Sequence, residues 1–159
     1  MSAATIRAAR RSDVPTILGF VRQLADFERL SHLCVATAEQ FDEALFGTRP
    51  CAEAWMAEIG PTTVGYALAF TTFSTFVGRP GLWLEDLYVA PVHRRHGIGT
   101  AMLRHVAAIA VERGCGRLEW SVLDWNERAI ALYRSLGADL LGDWRINRLT
   151  GDALLRVGA

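Results

Sequence analysis

The stretch LEDLYVAPVHRRHGIGTAML, Leu84 to Leu103, decides how the chain is read. With Leu82 and Trp83 before it, the run up to Ala90 is apolar and β-rich, so a strand is expected over Leu82 to Ala90. Gly97, Ile98 and Gly99 then lead into Met102, Val106, Ile109 and Ala110 at helical spacing, which predicts an amphipathic helix from Gly99 to Arg113, stopped by Gly114. The first N–H groups of such a helix have no partners within it, and its dipole favours an anion above them. Gly97 and Gly99 leave room for close approach, and Arg94 and Arg95 bring charge-assisted donors. The joint reads either as a tight glycine-rich turn or as a pyrophosphate cradle built from backbone. It is not a nucleotide P-loop, which needs Gly-Lys-Ser/Thr. It is not a dinucleotide fingerprint either, since the turn does not follow the first strand and lacks a third glycine.

Two carboxylates interrupt the strand. Strict alternation assigns Trp83, Glu85, Leu87 and Val89 to one face and Leu84, Asp86 and Tyr88 to the other. Both faces are otherwise apolar, so neither acid should be left unpaired there. The acids are either neutralised by Arg or backbone N–H groups, or presented to a ligand.

Working outward, Thr5 to Arg10 alternates as a first strand. Ser12 and Asp13 offer a helix cap with Pro15 in the first turn, and Ile17, Leu18, Val21, Leu24 and Ala25 carry a helix to about Phe27. Thr37 and Gln40 have the spacing of a capping box before a shorter helix. Cys51 to Ile59 and Thr63 to Phe73 flank Gly60-Pro61 as a hairpin. Arg117 to Leu123 is expected as a strand, Asn126 to Leu136 as a helix ending at Gly137, and 138–141 and 144–149 as two short final strands. On that helix Asn126 and Tyr133 are seven residues apart, hence on one face with Ala129 and Ile130 between them. Tyr133 is either a core tyrosine with a satisfied hydroxyl or a phenol aimed into a cleft; spacing alone favours the core role. The order predicts a single domain over 1–159, a mixed sheet with helices on its faces.

Composition narrows the function. The chain has 159 residues, 51% hydrophobic and 21% charged, with zero net charge. That argues against a basic field for nucleic acid or an anionic membrane. All 17 basic residues are Arg. Cys34, Cys51 and Cys115 are far apart, and the four His show no metal-ligand spacing, so neither a disulfide framework nor a metal site is expected. No apolar run reaches the ~20 residues of a membrane span, and the N-terminus has no apolar core of a signal peptide. A cytoplasmic protein is expected.

The motif RRHGIG resembles the R/Q-x-x-G-x-G/A signature of the GNAT N-acetyltransferase superfamily, and the resemblance spans nearly the whole chain. GLWLEDLYVAPVHRRHGIGTAML and SVLDWNERAIALYRSLGA are similar in particular to the spermidine/spermine and thialysine acetyltransferase branch. The resemblance implies an α/β (α+β) fold, a mixed but mostly antiparallel central sheet with helices on both faces and strands splayed at the cofactor site. It implies acetyl-CoA as cosubstrate, no metal, a small-molecule amine acceptor and a homodimer. The pyrophosphate would lie on Arg94, Arg95, His96, Gly97, Ile98, Gly99 and Thr100, and the pantetheine along Leu87, Tyr88 and Val89. Asn126, Ala129 and Tyr133 match cofactor-contacting positions, Tyr133 also the family's general acid. Glu85 matches a candidate base, and Glu28, Glu85 and Asp86 are the candidate acceptor-binding acids. Polyamine-acetylating relatives are richer in acids after the match to Glu28, where this chain has Leu30, Ser31 and His32. A lysine-like or diamine acceptor is therefore expected rather than a long polyamine. A protein N-terminal or lysine acetyltransferase, and a non-catalytic acyl-CoA sensor, are the alternatives.

Overall fold

The computed structural model describes residues 4–159, and its contacts group the chain into two compact units, one ending at Leu123 and one from Asp124 to Ala159.

The first unit is built on a sheet of order β1-β2-β3-β4-β5, with β1 Thr5–Ala8, β2 Glu53–Ile59, β3 Thr62–Ser74, β4 Arg79–Val89 and β5 Leu118–Glu119. Every neighbouring pair is antiparallel except β4 and β5, so the sheet is mixed and mostly antiparallel. Gly60, at φ +58°, turns β2 into β3 as the sequence leads one to expect. Between β3 and β4 the approach is so close that a Cβ on Gly65 would lie 2.5 Å from the Tyr88 carbonyl oxygen, which only glycine avoids.

Helices lie on both faces. Helix α1, Val14–Phe27, buries Val14, Ile17, Leu18 and Phe20. Ile17 and Phe20 pack with Ala54, Met56, Tyr66, Leu68 and Tyr88, the side chains that β2, β3 and β4 turn to that face. Helix α3, Ile98–Glu112, covers the opposite face, where Trp55 meets His105 edge to face. Asp13 does not cap α1 with its side chain; it accepts from Arg7 at 2.7 Å and from the Arg10 N–H at 2.7 Å. Arg7 also reaches Glu58 at 2.6 Å, tying β1 to the chain on either side of it. Helix α2, Ala38–Phe46, begins with the capping box expected of Thr37 and Gln40, each side chain bonding the other's backbone N–H.

Two expectations fail. The strand expected over Arg117 to Leu123 is reduced to Leu118–Glu119, because its pairing with β4 ends at Trp83↔Glu119. In the second unit α4, Glu127–Ser135, forms as expected and ends before Gly137 at φ +87°. The two final strands do not form, and Gly151–Gly158 is instead a helix, α5, entered from an extended Thr150. Segment 144–149 alternates well enough for a strand, yet alternation selects a face and does not supply a partner ladder. Trp144 and Ile146 are exposed in consequence.

Phe20 is the side chain on which α1 meets the site. Its ring stacks on Tyr66 at 5.9 Å and tilts against Tyr88 at 5.6 Å. We expect Phe20→Ala to cost about 3–5 kcal/mol in denaturant unfolding; a loss below about 1 kcal/mol would show that the two tyrosines are held by something other than α1.

Candidate active site

The two acids of β4 sit at an irregularity. Leu68 pairs with Asp86 and the next residue, Ala69, pairs with Leu84, so Glu85 is an extra residue in β4, a β-bulge. The bulge corrects the face assignment made from strict alternation. Asp86 opposes Leu68 and shares the α1 face with Tyr66 and Tyr88. Below the bulge the phase is reversed. Leu84 opposes Ala69 and is buried on the α3 face, whereas Trp83, opposite Phe70, comes to the α1 face. The Trp83 indole N–H donates to Glu85 at 2.8 Å and draws that carboxylate to the α1 side. Glu85 and Asp86, assigned to opposite faces by the sequence, therefore share one.

Their surroundings differ. Glu85 is exposed. Asp86 is partly buried and accepts a 2.7 Å hydrogen bond from the hydroxyl of Tyr66, which is itself fully buried. Burial pushes the Asp86 carboxyl above the usual range, against the opposing pull of the Tyr66 hydrogen bond, and the charge of Glu85 raises it further. Glu28, just past the end of α1, is also raised, by burial first and then by the charge of Asp86. Burial and the same carboxylate drive the Tyr66 phenol far up, so it remains a donor. The three acids named as acceptor-binding thus form one electrostatically coupled group, to which Tyr66 is the addition. Its signal was a single hydroxyl in the apolar run VGYALA, where a buried tyrosine needs a partner. Among the described residues no three His, Cys, Asp or Glu side chains are grouped to hold a metal ion.

Above the bulge, the second edge of β4 has no strand paired to it among the described residues. The Ala90 N–H bonds Val64 O, so Ala90, Tyr88 and Asp86 direct their backbone groups to β3, and Leu87 and Val89 direct theirs the other way. No β5 ladder extends that far. Arg94 Nε takes the Val89 carbonyl at 2.8 Å, and its guanidinium lies 5.0 Å from the Phe27 ring and 5.3 Å from that of Tyr88. Arg94 therefore turns toward the end of α1, leaving Arg95 as the exposed cation of the loop. A cavity of about 510 Å³ lies there, with Arg22, Gln23 and Asp26 of α1 in its wall.

The glycine loop has the shape of an anion cradle. Gly97, at φ +76°, precedes α3, and an added Cβ would meet nothing within 4 Å. The first i to i−4 bond runs from Ala101 N–H to Gly97 O, so Ile98, Gly99 and Thr100 precede it with their N–H groups available. Arg95 holds φ +69°, a costly conformation for a non-glycine residue that is common where a loop is shaped for a ligand. His96 Nδ1 lies 3.2 Å from the His93 carbonyl oxygen. These features fit a pyrophosphate at the loop and an extended amide chain along β4. In the second unit, Asn126 caps α4, its side chain accepting from the Ala129 N–H at 3.3 Å, and Tyr133 is half-buried on that helix.

Comparison with known proteins agrees with this geometry. The family described as Acetyltransferase (GNAT) family matches residues 20–138. Thialysine N-epsilon-acetyltransferase of Mus musculus is 39% identical over 97% of this chain and 96% of its own length. L-ornithine N5-acetyltransferase of Arabidopsis thaliana is 33% identical over 96% of this chain and 86% of its own. An integron cassette protein from the mobile metagenome of V. cholerae superposes with a TM-score of 0.82 over 99% of both chains at 22% identity, a likeness of fold.

A carboxyl whose folded-state pKa is raised costs stability once it ionises. That cost begins as pH rises past the ordinary carboxylate value of about 3.9 and is complete above the raised one. Asp86→Asn keeps an acceptor for Tyr66 without the charge. We expect it to melt higher than wild type at pH 8, with the difference closing toward pH 4; a variant less stable than wild type at pH 8 would contradict the assignment.

Proposed function

Because the chain belongs to the GNAT family of acetyltransferases and is an acyltransferase, we propose that it transfers the acetyl group of acetyl-CoA to a small primary amine of lysine-like or diamine type. The observation that carries this reading is the bulge at Glu85, which gathers Glu85, Asp86 and Glu28 on one face beside an open strand edge and a glycine cradle. Acetyl-CoA supplies an acetyl thioester. The N–H groups of Ile98, Gly99 and Thr100, with Arg95, hold its pyrophosphate, and the outward backbone groups of Leu87 and the Val89 N–H take its amides.

The acids act on the amine. An alkylammonium has a pKa near ~10.4, so its neutral form costs roughly 4–5 kcal/mol at pH 7. The three carboxylates draw in the cation, and Glu85, the exposed one, accepts its proton directly or through a water. The Tyr133 hydroxyl then gives its proton to the departing thiolate, a step for which phenol and thiol pKa values are well matched. The names of the thialysine and ornithine enzymes support an amine on a short chain. The protein works as one catalytic domain in the cytoplasm, where three separate free cysteines are at home. It acts as a homodimer, for which the exposed Trp144, Ile146 and Leu155 provide apolar surface.

Three measurements test this. Saturation with acetyl-CoA at about 100 times its Kd should add about 2.7 kcal/mol of stability. Gly99→Val, whose Cβ has only an ordinary 3.8 Å contact with Val89, should fold normally and lose that shift; a wild-type melt indifferent to acetyl-CoA overturns the cofactor assignment. Tyr133→Phe should lower kcat by about 10²–10⁴-fold with cofactor binding retained, and an unchanged kcat with chemistry rate-limiting rejects the acid role. Light scattering at micromolar concentration should give twice the chain mass; a monomer contradicts the dimer.

A further inference from the structure

We propose that the cavity at the end of α1 is a subsite for the α-carboxylate and α-ammonium groups of an amino-acid acceptor, with Arg22 and Arg94 on the carboxylate and Asp26 on the ammonium. This rests on the amine-acetylation reading and narrows it from amines in general to amino acids.

Position is the first argument. Tyr88, in the cavity wall, and Asp86, in the acid group, are two residues apart on one face of β4, hence about 7 Å apart along the strand. Five single bonds separate the side-chain nitrogen of a lysine-like amino acid from its α-carbon, a reach of roughly 6 Å. An amine placed among Glu85, Asp86 and Glu28 therefore carries its α-carbon to the cavity. The site is an open groove of about 510 Å³, with Arg22, Gln23 and Asp26 exposed along it, and it accommodates the head group with water.

Charge is the second argument. The acid group attracts any amine and does not tell an amino acid from a diamine. The cavity does, because it offers two guanidinium groups, one carboxylate and the amide of Gln23, whose Oε1 accepts from the Tyr88 hydroxyl at 3.0 Å. A zwitterionic head group complements that set, whereas the second ammonium of a diamine meets Arg22 and Arg94. Arg94 is already fixed by the Val89 carbonyl through Nε and by the Phe27 and Tyr88 rings, so its terminal nitrogens need little further ordering to form a fork on a carboxylate. Arg22 has no hydrogen-bond or ion-pair partner among the described residues. Asp26 is oriented by a 3.4 Å contact from the Ser31 hydroxyl.

The test compares pairs that differ only in the α-carboxylate, lysine against cadaverine and ornithine against putrescine. Wild type should favour the amino acid of each pair in kcat/KM. Arg22→Gln, a change on the exposed side of α1, should lower kcat/KM for the amino acid by about 10- to 100-fold, mainly through KM, and leave the diamine within about 2-fold. Arg22→Lys should restore part of the loss, and Asp26→Asn should weaken the amino acid without weakening the diamine. Equal turnover of both members of a pair by wild type, or an equal loss on both in Arg22→Gln, overturns the subsite and leaves amine acetylation standing. Absence of CoA release with every amine overturns both readings.

Discussion

The arrangement of the site depends on one extra residue in β4. Without the bulge at Glu85, Glu85 and Asp86 would project from opposite faces, one toward α1 and one into the apolar packing under α3. With it, both reach the α1 face, and the phase of the strand below is reversed so that Leu84 takes the buried place on the α3 side. Pairing with β5 ends at Trp83, two residues before the bulge, and the edge carrying the backbone groups of Leu87 and Val89 is left open. Acid presentation follows from that break in register, and the end of the β5 ladder lies just before it on the other edge of β4.

A cluster of carboxylates beside an apolar core is costly, and the surrounding packing holds it in place. Tyr66 lies between Phe20 and Asp86, with its ring in the core and its hydroxyl on the carboxylate. Tyr88, directly opposite Tyr66 on β4, repeats the pattern, its ring against Phe20 and its hydroxyl on Gln23. These amphipathic rings connect the α1 core to the polar face and fix the acids at a defined height. The raised Asp86 and Glu28 carboxyls mark where folding is opposed and where a cation would relieve the opposition.

The loop after β4 divides its two arginines between tasks. Arg94 reaches back to the Val89 carbonyl and packs over Phe27 and Tyr88, so it braces the joint between strand, loop and α1. Arg95, in a left-handed conformation, stays exposed beside the glycines. The polar groups the loop offers at the start of α3 are thus mostly backbone N–H groups, whose direction does not depend on rotamers. The charge of Arg94 lies on the α1 side, near the Phe27 and Tyr88 rings.

Much of this was determined within short stretches of sequence. The Thr37–Gln40 capping box, the Gly60 turn, the helical periods of α1 and α3 and the glycine entry to α3 each follow from residues within a few positions of one another, so local propensity and capping suffice. Glu85 and Asp86 stood out as charged side chains within an apolar strand, whereas Glu28 entered only through the family resemblance. Tertiary structure decided the rest. Alternation has a period of two and assumes an unbroken ladder, so it cannot place a bulge that depends on how β3 pairs with β4. The partner of Tyr66 lies twenty residues away in sequence, and Arg94 was as able to face the loop as the helix until α1 packed beside it. The tail shows the same limit: residues 144–149 carry a strand's pattern, but a strand exists only where another backbone completes its hydrogen bonds, and no short segment specifies that partner.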